Sequence, residues 1–396
     1  GYRVDTYEQL LKAGDSGEPP IAAVADHASE LLRRIISDDE SERMPADNEP
    51  LTANQIEIVK RWIVEGAKFD GDDASQPLAI VIPPHRYADP PEVYSQTIPI
   101  TATEFSPDGK LIVTGGYHEL AIWNATDAKL VRRIKNVGQR IFALAFSADG
   151  KTLAVGCGEP GRSGEVRLIE FESGRIKGVV ARAGDVVLDV AYRPGTHEIA
   201  VAIADSTIRI VNVDTLEEVR TIASHADWVN AVTWSDDGSR LASASRDKSV
   251  KVFDGATGAL LTSYLGHGAN VRGVSILGDQ KQVISVGADN KLHRWNIENG
   301  KKVAEIGVGG EGYKLVRNDN EVLIPCSDKR LLRIDLTNNK IVQEFKGHGD
   351  WVLSACFKPR LSDDADRHIA SGSFDGEIRI WNLADAATVR RWIAKP

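Results

Sequence analysis

The sequence predicts a mainly β fold, a seven-bladed β-propeller, with a small α-helical domain in front of it. Two observations support this prediction: a repeat of about 40 residues from residue 100 onward, and a helical period in roughly the first 70 residues. Repeats of this length with four short strands each are typical of propeller blades. We therefore expect domains at residues 1–69 and 99–396, joined by a Pro-rich linker at residues 70–98.

The repeat is marked in every unit by one apolar residue that precedes a turn. Successive copies of this residue are 41, 46, 42, 42, 40 and 41 positions apart. They are Phe105, Phe146, Tyr192, Trp234, Ile276, Val316 and Phe357. The tetrapeptides SPDG (106–109), SADG (147–150) and SDDG (235–238) follow three of them and are typical of hairpin turns. Seven units predict seven blades.

Three units also share polar residues at matching positions. These are His267, Ser285, Asp289 and Trp295 in unit five, His348, Ser371, Asp375 and Trp381 in unit seven, and His225, Ser243 and Asp247 in unit four, where Phe253 replaces the Trp. Such units resemble WD repeats, and the resemblance covers about three quarters of the chain. It implies a buried relay in which the Trp N–H, Ser hydroxyl, His and Asp satisfy one another without water. We interpret these residues as structural rather than catalytic.

Unit two is the longest because the segment GEPGRSGEV (158–166) is inserted between two of its strands. The Pro, Gly and Ser residues of this segment predict an exposed hairpin tip. The insertion is either a tolerated lengthening of the hairpin or a loop that binds a partner protein.

The last unit ends with a candidate outer strand, ATVRRWIA (387–394). If this strand forms, blade seven is complete from its own residues and the ring closes without strand exchange. Alternatively, the segment LAIVI (78–82) adds an edge strand, and the sequence leaves both arrangements open.

The first 70 residues predict three short helices, each recognised by an N-terminal cap, an apolar stripe at helical spacing or a glycine stop. The marker residues are Asp5, Glu8 and Gly14 for the first helix, Asp26, Leu31, Leu32, Ile35 and Ile36 for the second, and Thr52, Gln55, Ile56, Val59, Trp62, Ile63 and Gly66 for the third. The core of such a small domain is thin, and domains of this size often need a metal or cofactor.

The only methionine, Met44, lies in the polar loop that precedes the third helix. A Met-Pro loop followed by an amphipathic helix ending in WIVEGA (62–67) resembles the C-terminal half of class I c-type cytochromes. More narrowly, residues 1–67 resemble the planctomycete-type cytochrome c domain. The resemblance implies that Met44 is the distal ligand of haem iron, with Trp62 and Ile63 packing on the haem side. The alternative is a loop methionine that packs on the third helix.

A c-type cytochrome also needs a CxxCH haem-attachment motif, which this chain lacks. We expect either that the motif lies upstream of Gly1, so that haem c is the cofactor, or that the domain has lost its haem. His27 and His85 match no ligand position of the family, and we interpret them as surface or capping residues.

Composition excludes several classes of function. The net charge of −9 argues against a nucleic-acid partner, and no run approaches the roughly 18 apolar residues of a membrane span. The sequence contains no HExxH, GxSxG or phosphate-binding Gly loop, so we predict no enzyme activity. Cys157, Cys326 and Cys356 lie in apolar runs and are interpreted as buried thiols, with a Cys326–Cys356 disulfide as the alternative.

The leading functional hypothesis is an exported, periplasmic protein that forms part of a larger assembly. Its propeller is a platform for protein partners, and its helical domain serves electron transfer or haem-linked assembly. The rival hypothesis is a haem-less scaffold or structural subunit that acts through propeller loops such as 158–166. A hydrolytic propeller enzyme is a third class, which no motif supports.

Overall fold

The computed structural model describes residues 6–14, 17–18, 20–21, 29–44, 50–71, 73–75, 86–360 and 367–395. The chain divides into two compact units, Gly1–Pro83 and Pro84–Pro396. The division falls within the predicted linker. Among the described residues, no helix combines the length and the apolar character that crossing a membrane requires.

The described residues of the first unit form three helices, α1 (Tyr7–Leu10), α2 (Glu30–Ile35) and α3 (Ala53–Val64). The third is the one that the sequence predicts best, because the reciprocal capping box of Thr52 and Gln55 is present. After α3, Gly66 takes a left-handed φ of +94°, which ends the helix as predicted.

The first two helices begin elsewhere than predicted. Thr6 is the N-cap of α1 and accepts a hydrogen bond from the Gln9 N–H at 3.0 Å, whereas Asp5 lies outside the described residues. Ser29 caps α2 in the same way, and the predicted cap Asp26 also lies outside the described residues. Ser and Thr hydroxyls close to the first turn provide these caps, so the helices are shorter than their apolar patterns suggest.

The segment after α3 returns to α1. The Tyr7 hydroxyl donates a hydrogen bond to the Ala67 carbonyl at 2.6 Å, and the rings of Tyr7 and Phe69 stack 4.8 Å apart. In the described part of this unit, the buried hydrophobic residues are Leu10, Ile35, Ile63 and Ala67. The described core is therefore small, in line with the thin core that the sequence predicts.

The second unit is a seven-bladed propeller of consecutive antiparallel strands. Blade one contains β1 (Thr103–Phe105), β2 (Leu111–Gly115), β3 (Tyr117–Asn124) and the first part of β4 (Leu130–Phe146), and blade two contains the rest of β4 with β5 (Thr152–Glu159), β6 (Ser163–Glu170) and β7 (Ile176–Ala183). Blade three contains β8 (Val187–Tyr192), β9 (Glu198–Ile203), β10 (Ile208–Asn212) and β11 (Glu218–Ile222), and blade four contains β12 (Val229–Trp234), β13 (Arg240–Ser245), β14 (Val250–Asp254) and β15 (Leu260–Tyr264).

The remaining blades follow the same order. Blade five contains β16 (Val271–Ile276), β17 (Gln282–Gly287), β18 (Lys291–Asn296) and β19 (Lys302–Gly307); blade six contains β20 (Val316–Asn318), β21 (Glu321–Pro325), β22 (Arg330–Asp335) and β23 (Lys340–Lys346); and blade seven contains β24 (Val352–Phe357), β25 (His368–Ser373), β26 (Glu377–Asn382) and β27 (Thr388–Ile393). The first strands of successive blades pack against one another, which places them at the centre of the ring.

Blades one and two share the strand β4, so their strands form one seven-stranded sheet. The strand bends between its two halves, where Asn136 and Gly138 have positive φ values of 61° and 125°. A side chain at Gly138 would meet the Cys157 sulfur at 2.5 Å, so glycine is required there.

The ring closes between blades seven and one. Strand β27 pairs with β26, which confirms the predicted outer strand within the residues that the structure describes. The Ile100 N–H donates to the Ser373 carbonyl at 3.1 Å, and the Ser354 hydroxyl donates to the Ile100 carbonyl at 2.9 Å. The alternative edge strand at residues 78–82 lies outside the described residues.

The predicted hairpin turns and buried cysteines are both present. In the first turn the Ser106 hydroxyl donates to Asp108 at 2.5 Å, and Gly109 takes a φ of +66°. Cys157, Cys326 and Cys356 are buried free thiols, so the alternative of a Cys326–Cys356 disulfide is wrong.

Candidate functional site

The relay of blade four joins three of the predicted residues. His225 Nδ1 lies 2.8 Å from Asp247 Oδ2, and its Nε2 lies 2.7 Å from the Ser243 hydroxyl. Burial lowers the pKa of His225, so the ring is neutral at pH 7 and can donate one proton to Asp247. Burial alone would raise the pKa of Asp247, but hydrogen bonds from Ser249 and other donors hold it well below its usual range. Phe253 fills the Trp position and is buried.

Blade five has the same histidine contacts but an incomplete relay. His267 Nδ1 lies 2.8 Å from Asp289 Oδ2, and His267 Nε2 lies 2.8 Å from the Ser285 hydroxyl. The buried indole Nε1 of Trp295 has no hydrogen-bond partner among the described residues. Instead, a second histidine, His293, stacks on His267 with ring centroids 4.0 Å apart.

In blade seven the tryptophan is part of the relay, but the aspartate does not contact the histidine. The Trp381 Nε1–H donates to the Ser371 hydroxyl at 2.8 Å, and Ser371 lies 2.7 Å from His348 Nε2. Asp375 accepts a hydrogen bond from the Glu377 N–H at 3.1 Å and makes none to His348. The carboxylate next to His348 Nδ1 belongs to Glu377, at 3.1 Å. Blade four therefore joins all three of its predicted residues, whereas blades five and seven each join only part of the relay that the sequence implies.

Three neighbouring aromatic rings lie where blades six and seven meet, and we call Tyr313, Trp351 and Phe374 the aromatic cluster; Tyr313 is half-buried. The ring centroids of Tyr313 and Trp351 are 6.0 Å apart, and those of Trp351 and Phe374 are 5.5 Å apart. Trp351 and Phe374 are each 45% exposed. The guanidinium of Arg272 lies over the Tyr313 ring, 4.7 Å from its centroid.

The aromatic cluster occupies one face of the propeller. Tyr313 and Trp351 precede the first strands of their blades, and Phe374 lies in the turn between the second and third strands of blade seven. In an antiparallel meander these positions are at the same edge. The repeat pattern alone does not predict this cluster, although the tripeptide DWV occurs at residues 227–229 and again at 350–352 and places a Trp at the same position of two blades.

The insertion in blade two forms a hairpin with an exposed tip, as the sequence predicts, but most of its residues belong to the two strands. Strands β5 and β6 extend through most of residues 158–166, with Glu159 opposite Ser163. Gly158, Gly164 and Glu165 are buried or lie in the sheet, and only the tip around residues 160–162 is exposed. The extra residues lengthen the hairpin because they continue the antiparallel pairing of β5 and β6, with side chains on alternate faces of the sheet.

A central cavity of about 270 Å³ is lined by the first strands of all seven blades. Its charged groups are mostly paired: Lys314 Nζ lies 3.7 Å from Asp189 Oδ1, and Arg317 pairs with Asp236. Burial raises the pKa of Glu104, on the same wall, to about 7. Because Lys314 and Arg317 are already paired with aspartates of the wall, neither is available to bind a ligand in this cavity.

Met44 lies just after α2 in the helical unit. Its N–H donates to the Arg34 carbonyl at 3.1 Å, and the residue is half-buried. Ile63 on α3 is buried, and the Trp62 indole N–H donates to the Lys68 carbonyl at 2.9 Å. No hydrogen bond among the described residues joins Met44 to Trp62 or Ile63, and their role beside a haem stays a prediction.

The residues of this chain fit only part of a c-type haem site. Residues 1–83 contain Met44 and His27 but no cysteine, and all three cysteines are buried in the propeller. Met44 therefore offers one axial thioether, whereas no residue of the helical unit offers covalent attachment. His27 and His85 lie outside the described residues.

Comparison with known protein families defines the two parts of the chain. The family model "WD domain, G-beta repeat" matches residues 92–124, 216–254, 258–296 and 339–382. The family model "Planctomycete cytochrome C" matches residues 1–48. The chain therefore joins a cytochrome-c-like segment to a WD-repeat propeller.

Several known proteins are similar to more than half of this chain. They include WD repeat-containing protein 1 of Xenopus tropicalis, 26% identical over 72% of this chain and 48% of that protein. Actin-interacting protein 1 of Drosophila melanogaster is 24% identical over 76% of this chain and 50% of its own length. Autophagy-related protein 16 of Arabidopsis thaliana is 26% identical over 61% of this chain and 47% of its own length. The chain spans about half the length of these relatives.

Proposed function

We propose that this protein is a scaffold that binds a partner protein through the aromatic cluster of its propeller. The observation that carries the proposal is the exposure of Trp351 and Phe374, which pack on each other and on the half-buried Tyr313 at the boundary of blades six and seven. Large aromatic residues dominate the binding energy of protein interfaces, and exposed groups of them mark interaction sites. WD-repeat relatives support the same general role.

The surroundings of the aromatic cluster indicate the chemistry of its partner. Arg272 covers the Tyr313 ring and forms an ion pair with Glu311 at 2.9 Å. The positive charge of Arg272 is therefore already neutralised by Glu311. The partner segment is therefore expected to insert an apolar or aromatic side chain between the rings, with polar groups only at the rim.

The experiment begins by identifying the partner at this surface. A photo-crosslinking amino acid in place of Phe374, in the full chain within its own cells, captures the protein that touches the aromatic cluster. The purified partner is then titrated against the wild-type chain, the Trp351→Ala variant and a control, Val342→Ala. Val342 is similarly exposed, but it lies on the outer strand of blade six.

We expect Trp351→Ala to weaken binding by about 2 kcal/mol or more, roughly thirtyfold, and Val342→Ala to change it little. Equal affinities for wild type and Trp351→Ala would reject the aromatic cluster as the docking site. Circular dichroism of both variants excludes misfolding as the cause of any loss.

We also propose that the helical unit is the distal part of a c-type cytochrome domain in an exported, periplasmic protein, with Met44 as an axial ligand. The match of residues 1–48 to the planctomycete cytochrome family supports this second role. Such a domain would add electron transfer, or haem-linked assembly, to the scaffold. A thioether ligand is soft and raises the reduction potential of haem iron.

Absorption spectra of the intact gene product, oxidised and reduced, test the second role. Soret and α bands are expected, and a Met44→Ala variant should lose the low-spin spectrum of a thioether-ligated iron. A protein without these bands would be a haem-less scaffold, and the proposal for the aromatic cluster would stand unaffected. Fractionation of the source cells tests export separately.

A further inference from the structure

Two histidines and one aspartate converge inside blade five. His267 Nδ1 lies 2.8 Å from Asp289 Oδ2, and His293 Nε2 lies 4.0 Å from the same oxygen. The three ligand atoms all lie within 4.8 Å of one another, and the two imidazole rings are nearly parallel. Among the described residues, this is the one group of His, Cys, Asp and Glu with a spacing suited to a metal ion.

This group is buried and has unused ligand atoms. The side chains of His267 and His293 are 0% and 1% exposed, and that of Asp289 is 11% exposed. His293 Nε2 and Asp289 Oδ1 are buried without a hydrogen-bond partner among the described residues. Buried polar atoms without partners are costly, so a cluster of them calls for a ligand that supplies the missing interaction.

The outer nitrogen of each imidazole is held by a hydroxyl. The Tyr264 hydroxyl lies 2.9 Å from His293 Nδ1, and the Ser285 hydroxyl lies 2.8 Å from His267 Nε2. If each outer nitrogen carries its proton and donates it to the hydroxyl oxygen, the lone pairs of His293 Nε2 and His267 Nδ1 face the centre of the group. Metal-binding histidines are oriented by hydrogen bonds of this kind.

The position of His293 distinguishes blade five from its neighbours. It is the fourth residue after the turn aspartate, and the same position is Arg209, Lys251 and Arg379 in blades three, four and seven. A permanently cationic side chain there repels a metal ion, whereas neutral imidazole binds one. Blade four thus offers a natural control, because it has the same His, Ser and Asp beside Lys251.

We propose that blade five binds one divalent transition-metal ion of the zinc class through His267 Nδ1, His293 Nε2 and Asp289 Oδ2. Zinc accepts two imidazoles and a carboxylate, with ligand distances of about 2.0–2.2 Å. When the ion binds His267 Nδ1, the single proton of the neutral imidazole is carried by Nε2 instead, where it is donated to the Ser285 hydroxyl. Glu305 Oε2, 3.4 Å from His293 Nε2, or a water molecule completes the coordination.

The role of this ion is structural. It links His267, in the loop before β16, to the turn aspartate and to His293 on β18. The group lies within one blade and no nucleophile or cleft accompanies it among the described residues, so the ion would stabilise the blade.

The test titrates the full chain with zinc after treatment with a chelator. Isothermal calorimetry and elemental analysis are expected to give one tightly bound ion per chain, and Co²⁺ should give the visible absorption of a nitrogen- and oxygen-ligated site. His293→Lys, which copies blade four, should weaken zinc binding by a factor of 10–100 or more. The control is His197→Ala, because His197 and Asp214 form an exposed pair at 2.7 Å that represents surface binding.

Two results would overturn the proposal. One is a wild-type chain that takes up no zinc at micromolar concentration, and the other is a His293→Lys variant that retains the bound ion. The metal-free variants must match metal-free wild type in circular dichroism, which separates loss of the site from loss of the fold. Zinc should raise the urea midpoint of wild type and of His197→Ala but not of His293→Lys.

Discussion

Blades five and seven contain the same four relay residues, yet they connect them differently. In blade five, Asp289 contacts His267, and the Trp295 N–H has no hydrogen-bond partner in the part of the chain that the structure describes. In blade seven, Trp381 donates to Ser371, whereas Asp375 makes no hydrogen bond to the histidine. An identical motif in sequence therefore does not specify an identical hydrogen-bond network.

The difference arises from the residues two and four positions after each aspartate. In blade seven these are Glu377 and Arg379, whose ion pair at 2.7 Å places a carboxylate next to His348. In blade five they are Lys291 and His293, and Lys291 pairs with Glu305 on the outer strand. Side chains outside the motif thus decide which carboxylate the relay histidine meets.

The largest difference between the two blades should appear when the serine is removed. Ser371→Ala leaves both His348 Nε2 and Trp381 Nε1 without their partner, whereas Ser285→Ala affects only His267. With about 1–3 kcal/mol for each unsatisfied buried group, we expect Ser371→Ala to cost roughly 2–6 kcal/mol and Ser285→Ala about half of that. Urea denaturation followed by circular dichroism measures both. Equal losses of unfolding free energy in the two variants would contradict the difference between the hydrogen-bond networks of blades five and seven.

Replacing the tryptophans tests the other end of the relay. Both substitutions leave a smaller ring in a buried site and lose packing there, but Trp381→Phe also removes a buried hydrogen bond to Ser371. Trp295→Phe removes an N–H without a partner among the described residues, so we expect it to cost about 1–2 kcal/mol less than Trp381→Phe. Phe253 of blade four already fills this position in the same chain. If both substitutions destabilise the protein equally in urea, Trp295 has a partner in solution and the comparison fails.

The pH dependence of stability should reveal the buried histidine of blade seven. Burial lowers the pKa of His348 to about 4, against about 6.5 when unfolded. Between these values the unfolded state binds more protons, so stability is complete above about pH 6.5 and is lost as the pH falls toward 4. We expect a loss on the order of 1 kcal/mol from pH 7 to pH 5 for this residue.

The control for the pH prediction is His348→Gln, which keeps a polar side chain but cannot titrate. Its urea midpoint should fall less than that of wild type between pH 7 and pH 5. If the urea midpoint of His348→Gln falls as much as that of wild type, His348 does not have the lowered pKa, and its ring is protonated in the folded state beside Glu377.

Much of the fold follows from the sequence because its signals are local. The Ser-x-Asp-Gly turns are self-contained, since the Ser106 hydroxyl, the Asp108 carboxylate and the left-handed Gly109 lie within four residues. The Thr52–Gln55 capping box is local in the same sense. Such features were predicted correctly at their positions.

The candidate sites depend on contacts that cross strands and blades. His293 meets His267 only because β18 brings it under the loop before β16, and sequence spacing gave no reason to connect them. Trp351 and Tyr313 come from different blades, so only the assembled ring places them together. The caps of α1 and α2 were also misplaced, because neighbouring Ser or Thr residues compete with Asp for the same role.

The smallest effect is expected for the aspartate of blade seven. Asp375→Asn retains an oxygen that can accept from the Glu377 N–H, so we expect a change below about 0.5 kcal/mol. In blade four, Asp247→Asn places an amide among donors from His225, Ala226 and Ser249, and should cost about 1–3 kcal/mol. Urea midpoints at pH 7 compare the two variants directly. A cost for Asp375→Asn as large as that for Asp247→Asn would place Asp375 in the relay with His348, because only a lost contact to the buried ring could account for it.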